Sequence, residues 1–507
     1  MNTPLASAAD LIEKARVVYA SDSTIRAELD ELDRSLTQPL RVALVGSVKA
    51  GKSTLLNGLL GERIAPTDAR ECTRIITCYH YGTTPAVTAT MKSGELVSVP
   101  TRRQKDRFEL ELSSLSPDEV DRLDVYWPAP GLQGITLIDT PGVASISQDI
   151  ADQTERFILP ERGVMQVDAV MYLLRSAHES DIRYIQALNE RTRHGDAAMG
   201  SIAVLSRADE LGAGRLSAMV SINEATTRLR NHPDLAGVCE TVVPVAGLMG
   251  MGAMILRQAD FTILRSIAAR PPEETKQLLL SSERFVTSRL EWLPPELTRI
   301  DLLDRFGMYG IRIALAALRG GISDAAELSA ELLRRSGLEE LRRLIDVHFR
   351  QRQAALKAHT VVFTLHRLLR QYPVSGSSRL LVLADEHMSN AHTFAEMRLV
   401  GRIAAGQIDL PNSELVELER LLGGRGADLG LRLGSRRGEE RVEKLLASAV
   451  KQLGRWREKL ENPLLNQATY DACRIAVRSC ESLIVRLMTQ VPNPKVAMEC
   501  SEESRSA

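Results

Sequence analysis

The chain has 507 residues, 44% of them hydrophobic, enough to bury two or three domains. Its formal net charge is −1 and its aromatic content 4%, so it has neither the basic footprint nor the stacking platform of a nucleic-acid binder, and no nucleic-acid partner is expected. No run approaches about 18 apolar residues and no signal peptide opens the chain, so no bilayer-spanning helix is expected. The six cysteines (Cys72, Cys78, Cys239, Cys473, Cys480 and Cys500) are scattered without C-x-x-C pairs, a pattern that suits reduced thiols in a cytosol.

In chain order the first feature is a helical stripe, Ile25, Leu29, Leu32 and Leu36, with Ser23 as its expected cap. Residues 1–38 otherwise carry an exposed apolar face, so they are expected to pack in a helical bundle formed later in the chain. Val42 to Val45 then read as a buried strand, and Thr54 to Leu60 as the first turns of a helix. Between them runs "GSVKAGKST", with Gly46, Gly51, Lys52 and Ser53 at the G-x-x-x-x-G-K-S spacing of a phosphate-binding loop. Ser47, Val48, Lys49, Ala50, Gly51, Lys52, Ser53 and Thr54 are the expected phosphate cradle. Their N–H groups and the helix start face an anion, Lys52 reaches the β- and γ-phosphates, and the Ser53 hydroxyl meets Mg²⁺. This loop alone does not choose between ATP and GTP.

A threonine beyond the loop must reach the metal and the attacking water, and Thr67, Thr73 and Thr77 are available. Thr73 directly precedes the apolar strand "RIITCYHY" and is the choice, with Thr67 second and Thr77 expected to face along the strand. Cys72, beside it, reads as a small buried hydrophobe. "AVTATMKSGELVSVP" reads as a hairpin turning at Ser93-Gly94. "ITLIDTPG" is a strand ending in Asp139, which can hold Mg²⁺ through water, and Gly142 can offer its N–H to the γ-phosphate.

"SIAVLSRAD" ends in the loop expected to read the base. The Asp209 carboxylate can accept from guanine N1 and N2, which adenine cannot supply. Arg207 can lay its flat cation along the ring. Ser206, shorter than the usual Asn or Thr, ties this loop to the phosphate loop. The strand "TVVPVAG" exits near Ala246, whose N–H is expected at guanine O6.

After Gly247 the pattern is helical. Ile311 to Ile322 read as core within a helical insertion at about 250–335, and Ser336 to Phe349 as the helix closing the nucleotide domain, from which one long helix continues outward through "HRLLRQYP". Two later stripes, one including Leu445, Ala449 and Trp456 and the other Cys473, Cys480 and Leu487, need partners and imply an antiparallel bundle. His387 and His392 are five apart, off the spacing of a helical metal pair, and read as ordinary helix residues. The expected fold is an α/β P-loop head, a mostly parallel sheet flanked by helices, plus an α-helical bundle. Its expected parts are 1–38 in the bundle, 39–350 the nucleotide domain, 351–490 the bundle, and 491–507 a disordered tail.

The segments "GSVKAGKST", "APTDARECTR", "IDTPG", "LSRADELGAG" and "SGLEEL" resemble bacterial dynamin-like GTPases. The similarity is closest to the mycobacterial isoniazid-induced group, and "LSRADELGAGR" and "RFGMYGIRIALAALRGGISD" resemble the shorter of its two members. It spans nearly the whole chain. The resemblance implies a GTPase head that binds and hydrolyses GTP with Mg²⁺, a helical neck and trunk, and peripheral association with the inner face of the cell membrane through a trunk tip. It also implies nucleotide-dependent homodimerisation through the heads, or pairing with a dynamin-like paralogue, and a role in envelope integrity under cell-wall drugs.

One departure stands out: Val48 and Lys49 occupy places where many relatives carry Gln-Ser or a similar polar pair. Val48 cannot orient a water by hydrogen bonding. Lys49 either places a cation near the β–γ bridge, as an arginine finger does in cis, or binds the partner head, or points to solvent. Two functions therefore stand: a GTP-hydrolysing membrane mechanoenzyme, or a GTP-binding partner subunit with weak hydrolysis that supports a longer paralogue. The membrane tip is expected at "GGRGADLGLRLGSRRG", with Leu429, Leu431 and Leu433 entering the interface and Arg425, Arg432, Arg436 and Arg437 meeting anionic headgroups. The alternative is an interhelical loop whose leucines fold back onto the bundle.

Overall fold

The computed structural model describes residues 3–65, 75–104, 107–110, 116, 118–142, 154–160, 163–175, 179–192, 200–214, 218–230, 232, 235, 238–239, 241–389, 392–404, 406–435 and 441–488. Thr67, Cys72, Thr73, Arg436, Arg437 and the tail 491–507 lie outside these residues. The chain divides into two compact units, Met1–Arg193 with Ala198–Ala384, and His194–Ala197 with Asp385–Ala507.

The strands of the first unit are β1 (Leu40–Gly46), β2 (Ile76–Tyr81), β3 (Ala86–Met91), β4 (Leu96–Ser98), β5 (Thr101–Gln104), β6 (Arg107–Leu110), β7 (Val120–Trp127), β8 (Ile135–Asp139), β9 (Ala169–Leu174), β10 (Gly200–Ser206) and β11 (Val242–Val245). Nine form one sheet in the order β11-β10-β9-β1-β8-β2-β7-β3-β4, while β5 and β6 pair separately. The strands from β11 to β8 run parallel. β2 lies antiparallel to β8 and parallel to β7, and β3 turns back through Gly94 (φ 88°) into β4. Every residue of β9 and β10 is buried, as is β1 from Leu40 to Val45, the mark of parallel strands covered on both faces.

Two helices precede the sheet, α1 (Pro4–Val18) and α2 (Ser23–Thr37). The expected stripe of α2 is buried, but its cap is Asp22 rather than Ser23, which is already helical. The Asp22 carboxylate accepts from the N–H groups of Thr24 (3.0 Å) and Ile25 (3.1 Å), and its charge complements the helix start. The helix α1 is an addition to the sequence reading, started by Thr3 as cap and Pro4 in the first turn.

Both helices pack on the helix Gln353–Gln371, and the Tyr19 hydroxyl donates to the Tyr372 carbonyl (2.5 Å). The cut between the units consequently falls after Ala384, so this helix, assigned to the bundle by its sequence pattern, belongs to the first unit. Nor does one helix run unbroken through it. Leu338–Leu344 passes into a π turn at Ile345–Phe349 and a tighter turn at Arg350–Arg352. The wider turn brings Val347, His348 and Phe349 inward together, all buried. The helical insertion has its own core, in which Phe306, Ile311, Leu315 and Leu332 are buried, and Ile311 onward is core as expected.

At the foot of the sheet the Asp168 carboxylate is buried against Arg41, which donates through Nε (3.2 Å), Nη2 (3.1 Å) and its backbone N–H (2.9 Å). Lys357, 1% exposed, donates from Nζ to Ser35 O (2.8 Å) and stands 3.4 Å from Asp168. Burial alone would raise the Asp168 carboxyl, but Arg41 and then Lys357 hold it below its ordinary value. Burial draws the Lys357 ammonium downward too, against the pull of Asp168; the dense set of donors on the carboxylate makes its ionised form the one that dominates.

The second unit is helical. Val442–Leu460 and Gln467–Met488 pack against each other around Trp456, Ala476, Cys480 and Leu483, all at most 1% exposed. The expected tip folds in part onto this core. Leu429–Leu433 is a short helix capped by Asp428, with Leu433 buried and Leu429 packed on the core. Arg432 is buried as well, donating to Leu421 O (2.6 Å) and paired with Glu396. Neither Leu433 nor Arg432 is therefore displayed for lipid: a buried cation with a buried carboxylate partner is committed to the fold. His392 also exceeds its expected part as an ordinary helix residue, since its Nε2 meets Ser479 Oγ at 2.9 Å in the same polar cluster. No helix of the described residues is long and apolar enough to cross a membrane.

Asp168→Asn leaves two buried cations without their counter-charge and should destabilise the first unit by about 3–5 kcal/mol, measured by urea unfolding at neutral pH. Because the folded carboxyl titrates below its unfolded value, its contribution is complete above about pH 4 and fades as pH falls further. The wild-type and Asn curves should therefore converge in acid.

Candidate functional site

β1 ends on the loop that leads into α3 (Lys52–Leu60). Gly46 has no room for a side chain, since a Cβ there would meet Leu173 O at 2.6 Å, and Gly51 needs its φ of 91° as the left-handed cap of α3. Lys49 is exposed and also left-handed (φ 61°), at a cost of about 1 kcal/mol for a residue with a Cβ. The Lys52 ammonium is buried and donates to Gly46 O (2.9 Å) and Ser47 O (3.2 Å), closing the loop on itself. Burial lowers its pKa, and Asp139 opposes the shift. Ala50 is buried and donates its N–H to Ser47 O (3.1 Å).

β8 brings Asp139 to this loop. Ser53 Oγ donates to Asp139 Oδ2 (3.1 Å), while Oδ1 is buried without a hydrogen-bond partner among the described residues. Burial raises the Asp139 carboxyl, against the pull of Lys52 and Ser53. An orphaned carboxylate oxygen beside a hydroxyl is the donor set a hard divalent cation takes. Thr140 anchors the turn by donating to Leu44 O (2.7 Å). A Cβ on Gly142 would stand 2.5 Å from Val48 Cγ2 and 2.7 Å from its Cα, so this turn abuts the loop at Val48. Thr77 is buried and lies opposite Asp139 in the β2–β8 register. Because β2 is antiparallel to β8, the chain enters β2 at the Asp139 end.

β10 supplies the third part. Ser206 Oγ lies 2.6 Å from Ala50 O and 3.2 Å from Leu174 O, so its proton goes chiefly to the phosphate loop, the tie expected of it. Arg207 is left-handed (φ 50°), and its Cγ would stand 3.8 Å from a Cβ on Gly51. A cavity of about 150 Å³ is lined by Gly51, Thr54, Ser206, Arg207, Asp209 and Gly247, among others. Burial raises the Asp209 carboxyl.

The Ala246 expectation is corrected. Its N–H donates to Ser336 O (2.9 Å) and is spent on the helix that closes the unit. Gly247 and Leu248, at the start of the next helix, line the cavity instead. Two further residues went unnoticed in the sequence. Glu210 accepts from Arg207 Nη1 (2.6 Å) and from Arg175 Nη2 (2.7 Å), clasping the loop after β10 to the end of β9. Burial would raise its carboxyl, but those two bonds hold it low. Glu210 follows Asp209 directly, and only the fold brings Arg175 to it.

The dynamin family model matches residues 42–197. The isoniazid-induced protein IniC of Mycobacterium tuberculosis is 40% identical over 467 residues, covering 92% of this chain and 94% of its own length. A bacterial dynamin-like protein of Nostoc punctiforme is 27% identical over 208 residues, covering 37% of this chain and 29% of its own. A solved chain from an oligomerised bacterial dynamin pair aligns over 99% of this chain and 78% of its own at 12% identity, with a TM-score of 0.30.

Ser206→Ala removes the side-chain hydrogen bond that joins the end of β10 to Ala50 of the glycine-rich loop. It should cost about 1 kcal/mol, seen as a melting temperature lower by roughly 2–4 °C, with Ser206→Thr close to wild type.

Proposed function

The chain belongs to the dynamin family, and from that premise we propose that it binds GTP with Mg²⁺ at the loop Gly46–Thr54 and hydrolyses it while associated peripherally with the inner face of the cell membrane. The observation that carries this reading is the hydrogen bond of Ser206 to Ala50 O, which brings the G-x-x-x-x-G-K-S loop beside the cavity lined by Arg207 and Asp209. Lys52 would leave the carbonyls of Gly46 and Ser47 for the β- and γ-phosphates. Ser53 and Asp139 would hold Mg²⁺, with Thr73 as a third group. Held by these residues, Mg²⁺ would supply positive charge against the charge that develops on the phosphates. Gly142, held against Val48, would offer its N–H to the γ-phosphate. On the base side Asp209 would select guanine, Arg207 would cover the ring, and the first turn of Gly247–Met254 would face O6 in place of Ala246.

In this reading residues 39–350 act as the head and 351–490 as neck and trunk, with 1–38 packed on the neck. Heads pair in the nucleotide-bound state, as a homodimer or with a dynamin-like paralogue. Lys49 is exposed on the phosphate loop, where a cation can serve the β–γ bridge in cis or meet the opposite head. A second reading, a GTP-binding partner subunit with weak turnover, rests on Val48: an apolar side chain packed at Gly142 offers no hydrogen bond to an attacking water.

GTP turnover per chain, measured against protein concentration, tests the proposal. Specific activity should rise with concentration as heads pair, and Lys52→Ala should abolish both binding and turnover. Flat, negligible turnover that appears only on adding the paralogue would favour the second reading. Asp209→Asn should move preference from guanine to xanthine nucleotides, measured by competition. The wild type should prefer GTP over ATP by a factor on the order of 10⁴, because a site built for two hydrogen bonds leaves them unmade with the wrong base.

A further inference from the structure

Beyond the nucleotide loops, one face of the sheet carries a cluster with no part in the proposed reaction. Cys78 and His80 alternate onto the same face of β2, and Cys78 pairs in register with Asp124 of β7. The thiol, imidazole and carboxylate each offer one atom, and these atoms lie within 4.8 Å of one another. All three residues line a cavity of about 630 Å³. We propose that Cys78, His80 and Asp124 form a binding site for a zinc-class divalent cation, with the fourth coordination place open to this cavity.

The surroundings are those a built metal site requires. His80 Nε2 lies 2.9 Å from Asp124 Oδ1, and its Nδ1 lies 3.2 Å from Thr136 Oγ1. The ring stacks on Tyr126 with centroids 5.0 Å apart, which fixes its plane. The second oxygen of Asp124, Oδ2, is held by Arg122 Nε (3.1 Å) and Thr90 Oγ1 (3.4 Å), leaving Oδ1 turned towards His80. Such partners orient ligands in metal sites, and a neutral imidazole bound through Nε2 would carry its proton on Nδ1 and donate it to Thr136.

The Arg122–Asp124–His80 row is also intelligible as a charge-compensated sheet face. That account leaves the Cys78 thiol without a polar partner: it is buried and makes no hydrogen bond among the described residues. So disposed it is no reactive nucleophile, yet it is placed where a soft ligand completes the set. On binding, the cation displaces the thiol proton to solvent, and one thiolate and one carboxylate balance its two charges. Tetrahedral zinc holds N, O and S ligands about 3.3–3.7 Å apart, so the longest of the three separations must close by about 1 Å, while His80 Nε2 and Asp124 Oδ1, now 2.9 Å apart, open by about 0.4 Å. A cysteine and a histidine in the set disfavour Mg²⁺ and Ca²⁺, which take oxygen.

The test uses the full-length protein, stripped with chelator and titrated with Zn²⁺ or Co²⁺ in the presence of excess Mg²⁺. One equivalent of Co²⁺ should give a sulfur-to-metal charge-transfer band and tetrahedral d–d absorption. Cys78→Ser should abolish the band, and Asp124→Asn should weaken affinity by about tenfold or more. Cys239→Ser should leave the band unchanged. Zinc-edge absorption of the wild type, which needs no variant to fold, should show one sulfur at about 2.3 Å with nitrogen and oxygen completing the shell. A band that survives Cys78→Ser in folded protein, a shell with no sulfur or more than one, or no binding of either cation overturns the site.

Discussion

A carboxylate buried in a protein stays ionised only where cations or hydrogen-bond donors hold it, and the foot of this sheet is organised around that requirement. Asp168 immediately precedes β9, Arg41 lies in β1, and Lys357 comes from the helix that carries α1 and α2 on its flank. With those feet pinned, the register runs without a break from Val42 opposite Ala169 to Gly46 opposite Leu173. Gly46 starts the phosphate loop, and Arg175, just past the end of β9, closes the clasp on Glu210. The loop after β1 is therefore carried by a strand pinned in this ion cluster, and the loop after β10 is tied to the other pinned strand, β9, through Arg175.

At the far end the positioning is by backbone. Lys49, Gly51 and Arg207 all occupy the left-handed region, two of them at the energetic cost of a side chain. Such local strain persists where the surroundings over-determine it, and here Ser206, Glu210 and the close approach of Gly142 to Val48 do so. These contacts give the loops their shape. That shape leaves Asp139 Oδ1 buried and unpaired, and an oxygen in that position has most to gain from a cation.

What could be read from the sequence was local. The phosphate loop is legible because its spacing and its strand–loop–helix setting occupy one short stretch, and the fold around it followed from apolar periodicity. The Ser206 tie was legible because its chemistry depends on a single side chain next to a strand end. Ala246 was misjudged because its N–H is spent on Ser336, a partner about ninety residues away that no local pattern announces. Arg432 and Leu433 read as a lipid-facing tip for the same reason: Glu396 is what takes the arginine inside. Ser23 was expected as the cap, but the adjacent Asp22 takes that place because its carboxylate accepts two N–H groups. Cys78 and His80 show the alternation that puts them on one face, but Asp124 joins them only through strand register.

The packing of the first helices has a consequence for how the chain is made. Tyr19 bonds to Tyr372 across 353 positions, and Lys357 to Ser35 across 322. On a ribosome the stripe Ile25, Leu29, Leu32 and Leu36 emerges early, while the helix that buries it is still unsynthesised. At about 5–20 residues per second, that surface waits on the order of 20–70 seconds for its partner. Over this interval the apolar stripe of α2 lacks the helix that completes its burial, so nascent chains should engage a holding chaperone through this segment. The sheet can form in the meantime, but Asp168 gains its second cation only when residue 357 has left the tunnel. The last step of head assembly is thus timed by translation of the helix that leads out of it.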